Sequence, residues 1–307
     1  MVINRKKAAG GNFALLLAAV IWGTSFVAQD VGMEHVEAFT YNGIRMLMGA
    51  AVLIPVILFM QLGLRKKQAD TELWDKKRIF IQAKSGVICG LILFCASNLQ
   101  QFAFNYIPEG ASGKIGFITA LYMLLVPIFG LFLKQKQRLI VWFAVIMGCV
   151  GAYLLCVDSA MTIGIGEILT LGCAVFFAIH ILYIDSVTDK VDGVILSATQ
   201  FLVVGVLSVI CMFIFETPRI ANINTAIVPI LYSGVMSSGV AYTLQIVGQK
   251  HTNPAIASLL MCLESVFAVL AGWLILGDNL EVREYIGCAV MFAAIILTNL
   301  PERKNSK

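Results

Sequence analysis

Apolar runs long enough to cross a lipid bilayer recur down this chain of 307 residues and constrain its fold more than any other feature. A hydrocarbon core of ~30 Å needs about 20 residues at about 1.5 Å each. On that rule ten segments begin near Asn12, Ala38, Lys84, Gly110, Leu139, Ile165, Val194, Thr225, Pro254 and Glu281. The connections are mostly short and carry turn or charged residues, as in "GMEHVE", "IPEG", "KQKQR" and "GDNLE". The exception, "LRKKQADTELWDKKR", reads as an amphipathic or solvated strip. With 59% hydrophobic and only 13% charged residues, and a mean hydropathy of +0.88, the chain is too apolar for a soluble domain. The expected fold class is an all-α membrane protein with ten transmembrane helices.

The basic start "MVINRKK" ahead of an apolar run resembles a secretory signal. Bulky Phe26, at the position where cleavage after Ala28 needs a small residue, disfavours that reading, and the run is kept as the first helix. Eight cysteines lie in or beside apolar runs with no CxxC pair and no Cys/His cluster, so they read as small core hydrophobes, with neither disulfide nor metal expected.

Assigning the connections to alternate sides tests the span count. Of the 22 Lys and Arg residues, all but Lys114, Arg219, Arg283 and the intramembrane Arg45 fall on one side. By the positive-inside rule that side is the cytoplasm, and both termini belong there, in a multi-pass protein of the cytoplasmic membrane.

The two halves also resemble each other. "AAVIWGTSF" lies over "CAVFFAIHI", pairing Trp22 with Phe177, and the same register pairs Arg45 with Gln200. "FITALYMLLVPIFGLFLKQKQ" lies over "LMCLESVFAVLAGWLILGDN", pairing Leu121 with Glu264, and "WFAVIMGCVGAYLL" matches "YIGCAVMFAAIILT". Five spans is an odd number, so the second unit enters the membrane from the opposite side. The expected organisation is two inverted five-helix repeats, 1–157 and 158–307. Inverted repeats recur in secondary transporters, because the halves can exchange roles and open one central site to either side in turn.

The stretches "WGTSF", "NLQQFAFNYIPEGASGKIGFITALYMLLVP" and "SLLMCLESVFAVLAGWLILGDNLEVREYIG" resemble the EamA family of the drug/metabolite transporter superfamily over nearly the whole chain. Ser265 stands where many members carry proline after the glutamate. The resemblance implies a ten-helix inverted-repeat fold and movement of amino acids or other small metabolites, often outward.

Ionisable and polar groups inside lipid must face the bundle or water, which makes them candidate substrate-binding residues. Arg45 lies about 10 Å below the outer boundary at 1.5 Å per residue, and shares a face with Tyr41 and Asn42. It reads either as an anion-attracting vestibule residue or as a snorkelling anchor and hydrogen-bond donor. Span three carries Asn98, Gln101 and Asn105 at i, i+3 and i+7, with Ser97 and Gln100 beside them; span eight carries Ser238, Tyr242, Gln245 and Gln249; span four adds Ser112, Thr119 and Tyr122. Each stripe is either helix–helix glue or cavity lining, and three together favour a cavity. Trp22 and Tyr122, near the midplane, are candidate cavity walls. Gln200 joins them through its pairing with Arg45. Glu264, near the midplane with no basic residue one turn away, and His180, nearer the cytoplasm, are candidate carriers of a coupling proton. Glycines 86, 90, 110, 113 and 116 allow close helix approach.

No Walker loop, HExxH or GxSxG appears, and no connection has room for a nucleotide-binding domain. The chain is therefore expected to be no enzyme and to need no cofactor. Its expected partners are a small-molecule substrate, the lipid bilayer and coupling protons, with no nucleic acid, in a monomer or homodimer. One cation, one anion and several amides suit a zwitterion such as an amino acid. Export of a purine, sugar derivative or drug-like metabolite stays open, as do a membrane-embedded enzyme and a non-transporting receptor or assembly subunit.

Overall fold

The computed structural model describes residues 5–67, 76–107, 111–156, 164–276 and 281–298. Most of the charged strip of residues 64–78, Gly110, the side chain of Ser112 and the boundary between 157 and 158 lie outside the described residues. Every regular element described is a helix. The order is α1 (Arg5–Met33), α2 (Ala38–Lys67), α3 (Lys76–Ala103), α4 (Ala111–Ala120), α5 (Tyr122–Phe132), α6 (Leu139–Cys156), α7 (Ile165–Val187) and α8 (Gly193–Phe215). Then follow α9 (Ile220–Thr225), α10 (Ile227–Tyr232), a π-helical segment Ser233–Ala241, α11 (Tyr242–Gln249), α12 (Pro254–Met261), α13 (Glu264–Ala271), a π-helical Gly272–Leu276 and α14 (Val282–Thr298). Among the described residues, eight helices are long and apolar enough to cross a membrane, counting α4–α5, α10–α11 and α12–α13 each as one span. Helix Leu139–Leu154 is shorter, and α14 has 17 residues. Large apolar side chains such as Phe59, Phe132, Phe213 and Leu274 face outward, as lipid requires. This is a multi-pass membrane protein.

Local chemistry sets several boundaries. Asp192 caps α8 by accepting from the Val194 and Ile195 amides, and Asn253 caps α12 by accepting from Ala255, with Pro254 in the first turn. The start of α2 is capped from a distance. The Phe39 and Thr40 amides donate to the two carboxylate oxygens of Glu216, each at 2.7 Å, which ties α2 to the end of α8.

Helix packing pairs α2 with α8 and α6 with α14. Helix α3 lies against α7 and α8, as the Ser233–Ala241 segment lies against α1 and α2; α1 packs on α12 and α13, as α7 packs on α4 and α5. Glycine makes the closest crossings possible. At Gly23 a Cβ would sit 2.5 Å from Phe267 Cβ and 2.7 Å from the Glu264 carbonyl oxygen, so α1 rests directly on the backbone of α13. Gly86 and Gly90 likewise let α3 approach α8 at Thr199 and Val203. Gly116 has only Ser265 Oγ nearby, at 3.9 Å, and does not mark a tight crossing.

Two spans are interrupted where they cross. Leu121 separates α4 from α5, and Cys262 and Leu263 separate α12 from α13 in a tight turn whose Ser265 amide donates to the Cys262 carbonyl at 3.2 Å. The second break forms with Ser265, not proline, after the glutamate. Across the crossing, Cys262 Sγ donates to the Ala120 carbonyl at 3.3 Å.

Candidate functional site

Side chains from both interrupted spans line a central cavity of about 40 Å³. Helix α1 contributes Trp22, Phe26 and Gln29, which share a face at i, i+4 and i+7; α2 contributes Arg45 and α3 Gln100. Thr119 and Tyr122 flank the first break, Met261 and Glu264 flank the second, and Phe177, Ile181, Ser237, Tyr242 and Gln245 complete the wall. The aromatic lining is continuous in part: Trp22 meets Tyr242 edge-on at 4.8 Å between ring centroids, and Tyr122 meets Phe177 at 6.3 Å.

Arg45 is only 2% exposed and opens into this cavity, so it has no route to the lipid interface. A chain of hydrogen bonds holds it. Arg45 Nε donates to Asn42 Oδ1 at 2.7 Å, Asn42 Nδ2 donates to Asn98 Oδ1 at 3.0 Å, and Asn98 Nδ2 donates to Ser208 Oγ at 3.2 Å. The guanidinium also lies over the Tyr41 ring, 5.6 Å from its centroid. Glu264 accepts a hydrogen bond from the Tyr122 hydroxyl at 3.2 Å. Among the described residues no acidic side chain forms an ion pair with Arg45, and no basic one with Glu264. The Arg45 guanidinium and the Glu264 carboxyl thus face one cavity without pairing with each other, and a buried guanidinium with no carboxylate beside it is costly unless a ligand completes it. Trp22 Nε1, Gln29 Oε1 and Gln245 Oε1 are buried at the same cavity with no hydrogen-bond partner.

Of the residues singled out from sequence, Trp22, Arg45, Tyr122, Tyr242, Gln245 and Glu264 share the cavity. Four do not line it. Asn98 is spent in the network that positions Arg45. Gln101 is fully buried with both amide atoms unpartnered, and His180 and Gln200 bond each other, His180 Nε2 donating to Gln200 Oε1 at 3.0 Å. Gln100 and Thr119, named from sequence only as members of the polar stripes, also line the wall, and Gln29 and Ser237 are wall residues the sequence reading did not name. For Gln29, the i, i+7 spacing from Trp22 carries the signal that points to it.

A second cavity of about 200 Å³ lies at the end of the bundle where α1, α3 and α8 finish, lined by Glu34, His35, Glu37, Asn105, Arg219 and others. Nearby, Lys114 and Glu167 form an ion pair between α4 and α7.

Comparison with known proteins places this architecture. A solved crystal structure superposes with a TM-score of 0.76 over 97% of this chain and 99% of its own, at 18% identity, a likeness of fold. An uncharacterized transporter of Archaeoglobus fulgidus is 26% identical over 94% of this chain and 85% of its own length. The uncharacterized inner membrane transporter YedA of Escherichia coli K12 is 23% identical over 94% of this chain and 90% of its own. The model of the EamA-like transporter family matches residues 9–157 and again 164–300. Its two matches together span nearly all of the sequence, and the chain belongs to the EamA-like transporter family.

Proposed function

We propose that this protein is a secondary transporter, an exporter of small zwitterionic metabolites such as amino acids, working by alternating access across the cytoplasmic membrane. The observation that carries the substrate class is the Arg45 guanidinium and the Glu264 carboxyl, unpaired with each other, in one aromatic-walled cavity. A guanidinium is a planar fork suited to a carboxylate, and a carboxylate opposite it receives an ammonium. Glu264 also serves as the coupling group: it gives up a proton as the ammonium arrives and takes one back as it leaves, which links solute movement to proton movement.

The packing supports ten spans in two inverted repeats of 1–157 and 158–307. Helices α2 and α8, at equivalent places in the two halves, pack on each other, as do α6 and α14; α3 on α7 and α8 is matched by Ser233–Ala241 on α1 and α2, and α7 on α4 and α5 by α1 on α12 and α13. A twofold relation between the halves produces that pattern. The interruptions at Leu121 and at Cys262–Leu263 fall at nearly matching positions of the halves. The excess of Lys and Arg on one side puts both termini in the cytoplasm.

A thermal-shift screen of the purified protein against a metabolite library, followed by flux of the best ligand into proteoliposomes, tests this reading. Stabilisation by amino acids and saturable flux are expected; stabilisation confined to uncharged lipophilic compounds contradicts the zwitterion assignment.

A further inference from the structure

Helix α1 serves as a ruler through the molecule. Met33, at its end, borders the second cavity; Trp22, Phe26 and Gln29 border the central one; and near its start Asn12 accepts a hydrogen bond from Thr252 at 2.9 Å, while Gly11 lies against Gly248. The central cavity therefore sits about 6 Å from the second cavity but about 15 Å from the Thr252 end, at 1.5 Å per residue. The longer gap is closed by packing of α11 against α1 and α7.

Unpartnered polar atoms gather inside that closed half. Gln245 and Gln249 on α11 are each 2% exposed with Oε1 unbonded, and His180 Nδ1 on α7, Gln200 Nε2 and Ser197 Oγ on α8 are buried without partners. Contacts hold them together: His180 bonds Gln200, the His180 and Tyr242 rings meet at 6.3 Å, Phe201 meets Tyr242 at 5.7 Å, and Gln249 Nε2 donates to the Ile181 carbonyl at 3.1 Å. Residues that merely glue helices together are bonded, as Asn98 is. Each of these carries an atom that no described residue satisfies and that water or a solute would, and Gln245 belongs to the central cavity as well.

The spacing has a counterpart. Tyr242, Gln245 and Gln249 stand at i, i+3 and i+7 on α11, as Asn98, Gln101 and Asn105 do along α3 and just past its end. The α3 series leads toward the second cavity, whose wall includes Asn105. The α11 series leads to the opposite end, where Gln249 is buried and α11 packs on α1 and α7.

We propose that His180, Gln200, Gln245 and Gln249 line the cytoplasmic half of the solute path, a polar but uncharged station closed in this structure. There amides, which donate and accept equally, receive a small solute carrying both ammonium and carboxylate and pass it to the charged central cavity. The proposal rests on the alternating-access reading above.

Single-cysteine variants of the full chain test it, made after replacing the eight native cysteines and assayed in membrane vesicles of known orientation. The probe is the membrane-impermeant cation methanethiosulfonate ethyltrimethylammonium. Gln245→Cys is expected to react from both faces, and Gln200→Cys and Gln249→Cys at least tenfold faster from the face that carries the termini. Protection of Gln200→Cys and Gln249→Cys from both faces, with Gln245→Cys open to both, overturns the station and leaves alternating access standing. A Gln245→Cys that never reacts from one of the faces overturns both. If Gln200→Cys and Gln249→Cys elute as aggregates, Ser197→Cys takes their place and the same outcomes decide.

Discussion

Tyr122 donates its hydroxyl to Glu264 at 3.2 Å across the point where the two interrupted spans meet. The bond joins the residue that opens α5 to the residue that opens α13, one from each half of the chain. A carboxylate there lies in the first turn of α13, where the helix dipole favours negative charge. Glu264→Gln keeps an acceptor oxygen for an ammonium but no titratable proton. It is expected to abolish pH-driven uptake while sparing solute exchange, measured in proteoliposomes with and without a pH gradient. Unchanged pH dependence in both Glu264→Gln and His180→Ala counts against a coupling proton on either.

Arg45 depends on the asparagines behind it. Replacing it with Gln removes a charge-assisted contact of about 1.5–3 kcal/mol, so zwitterion affinity is expected to fall about 10- to 100-fold, read by thermal shift or counterflow. Asn98→Ala, one bond removed from Arg45 through Asn42, is expected to weaken affinity less and to lower thermal stability as well, because it also releases Ser208 and the Phe94 carbonyl. Equal affinity in Asn98→Ala and wild type contradicts the positioning role.

Much of this site is legible in the residues themselves, because charge and aromaticity at mid-membrane have few uses; that is how Arg45, Glu264, Trp22 and Tyr122 stand out. Periodicity was less decisive. The stripe on α3 correctly marks a polar face, but only packing reveals that Asn98 meets α2 and α8 while its neighbour Gln100 donates to Thr119 at the cavity. The break at Leu121 has neither proline nor glycine at it, and the break at Cys262–Leu263 is equally unmarked. Each lies where one of the two spans packs on the other. The π-helical Ser233–Ala241 segment is a run rich in small residues against which α1 and α2 pack.

Gly23 carries a stability prediction. Its position admits no Cβ without displacing Phe267 or the α13 backbone. Gly23→Val is expected to cost about 1–3 kcal/mol by overpacking and to lower the Tm in detergent, while Gly10→Ala, which meets nothing within 4 Å, leaves it unchanged. A Gly23→Val protein as stable as wild type contradicts the close crossing of α1 on α13.

Glu216 is expected to act on stability and not on the cavity. Glu216→Ala leaves the Phe39 and Thr40 amides at the start of α2 without their acceptor. Loss of a cap costs about 1 kcal/mol, visible as a lower Tm with unaltered ligand affinity. A loss of affinity at unchanged Tm contradicts this role.

Counterflow of radiolabelled amino acids into proteoliposomes bears most directly on the Arg45–Glu264 cavity as a transport site. Wild type is expected to accumulate at least one zwitterion saturably, and Arg45→Gln, correctly folded by gel filtration, is expected to lose that accumulation at the same concentration. Accumulation of zwitterions that is undiminished in Arg45→Gln, or absent in wild type across the whole set, contradicts it.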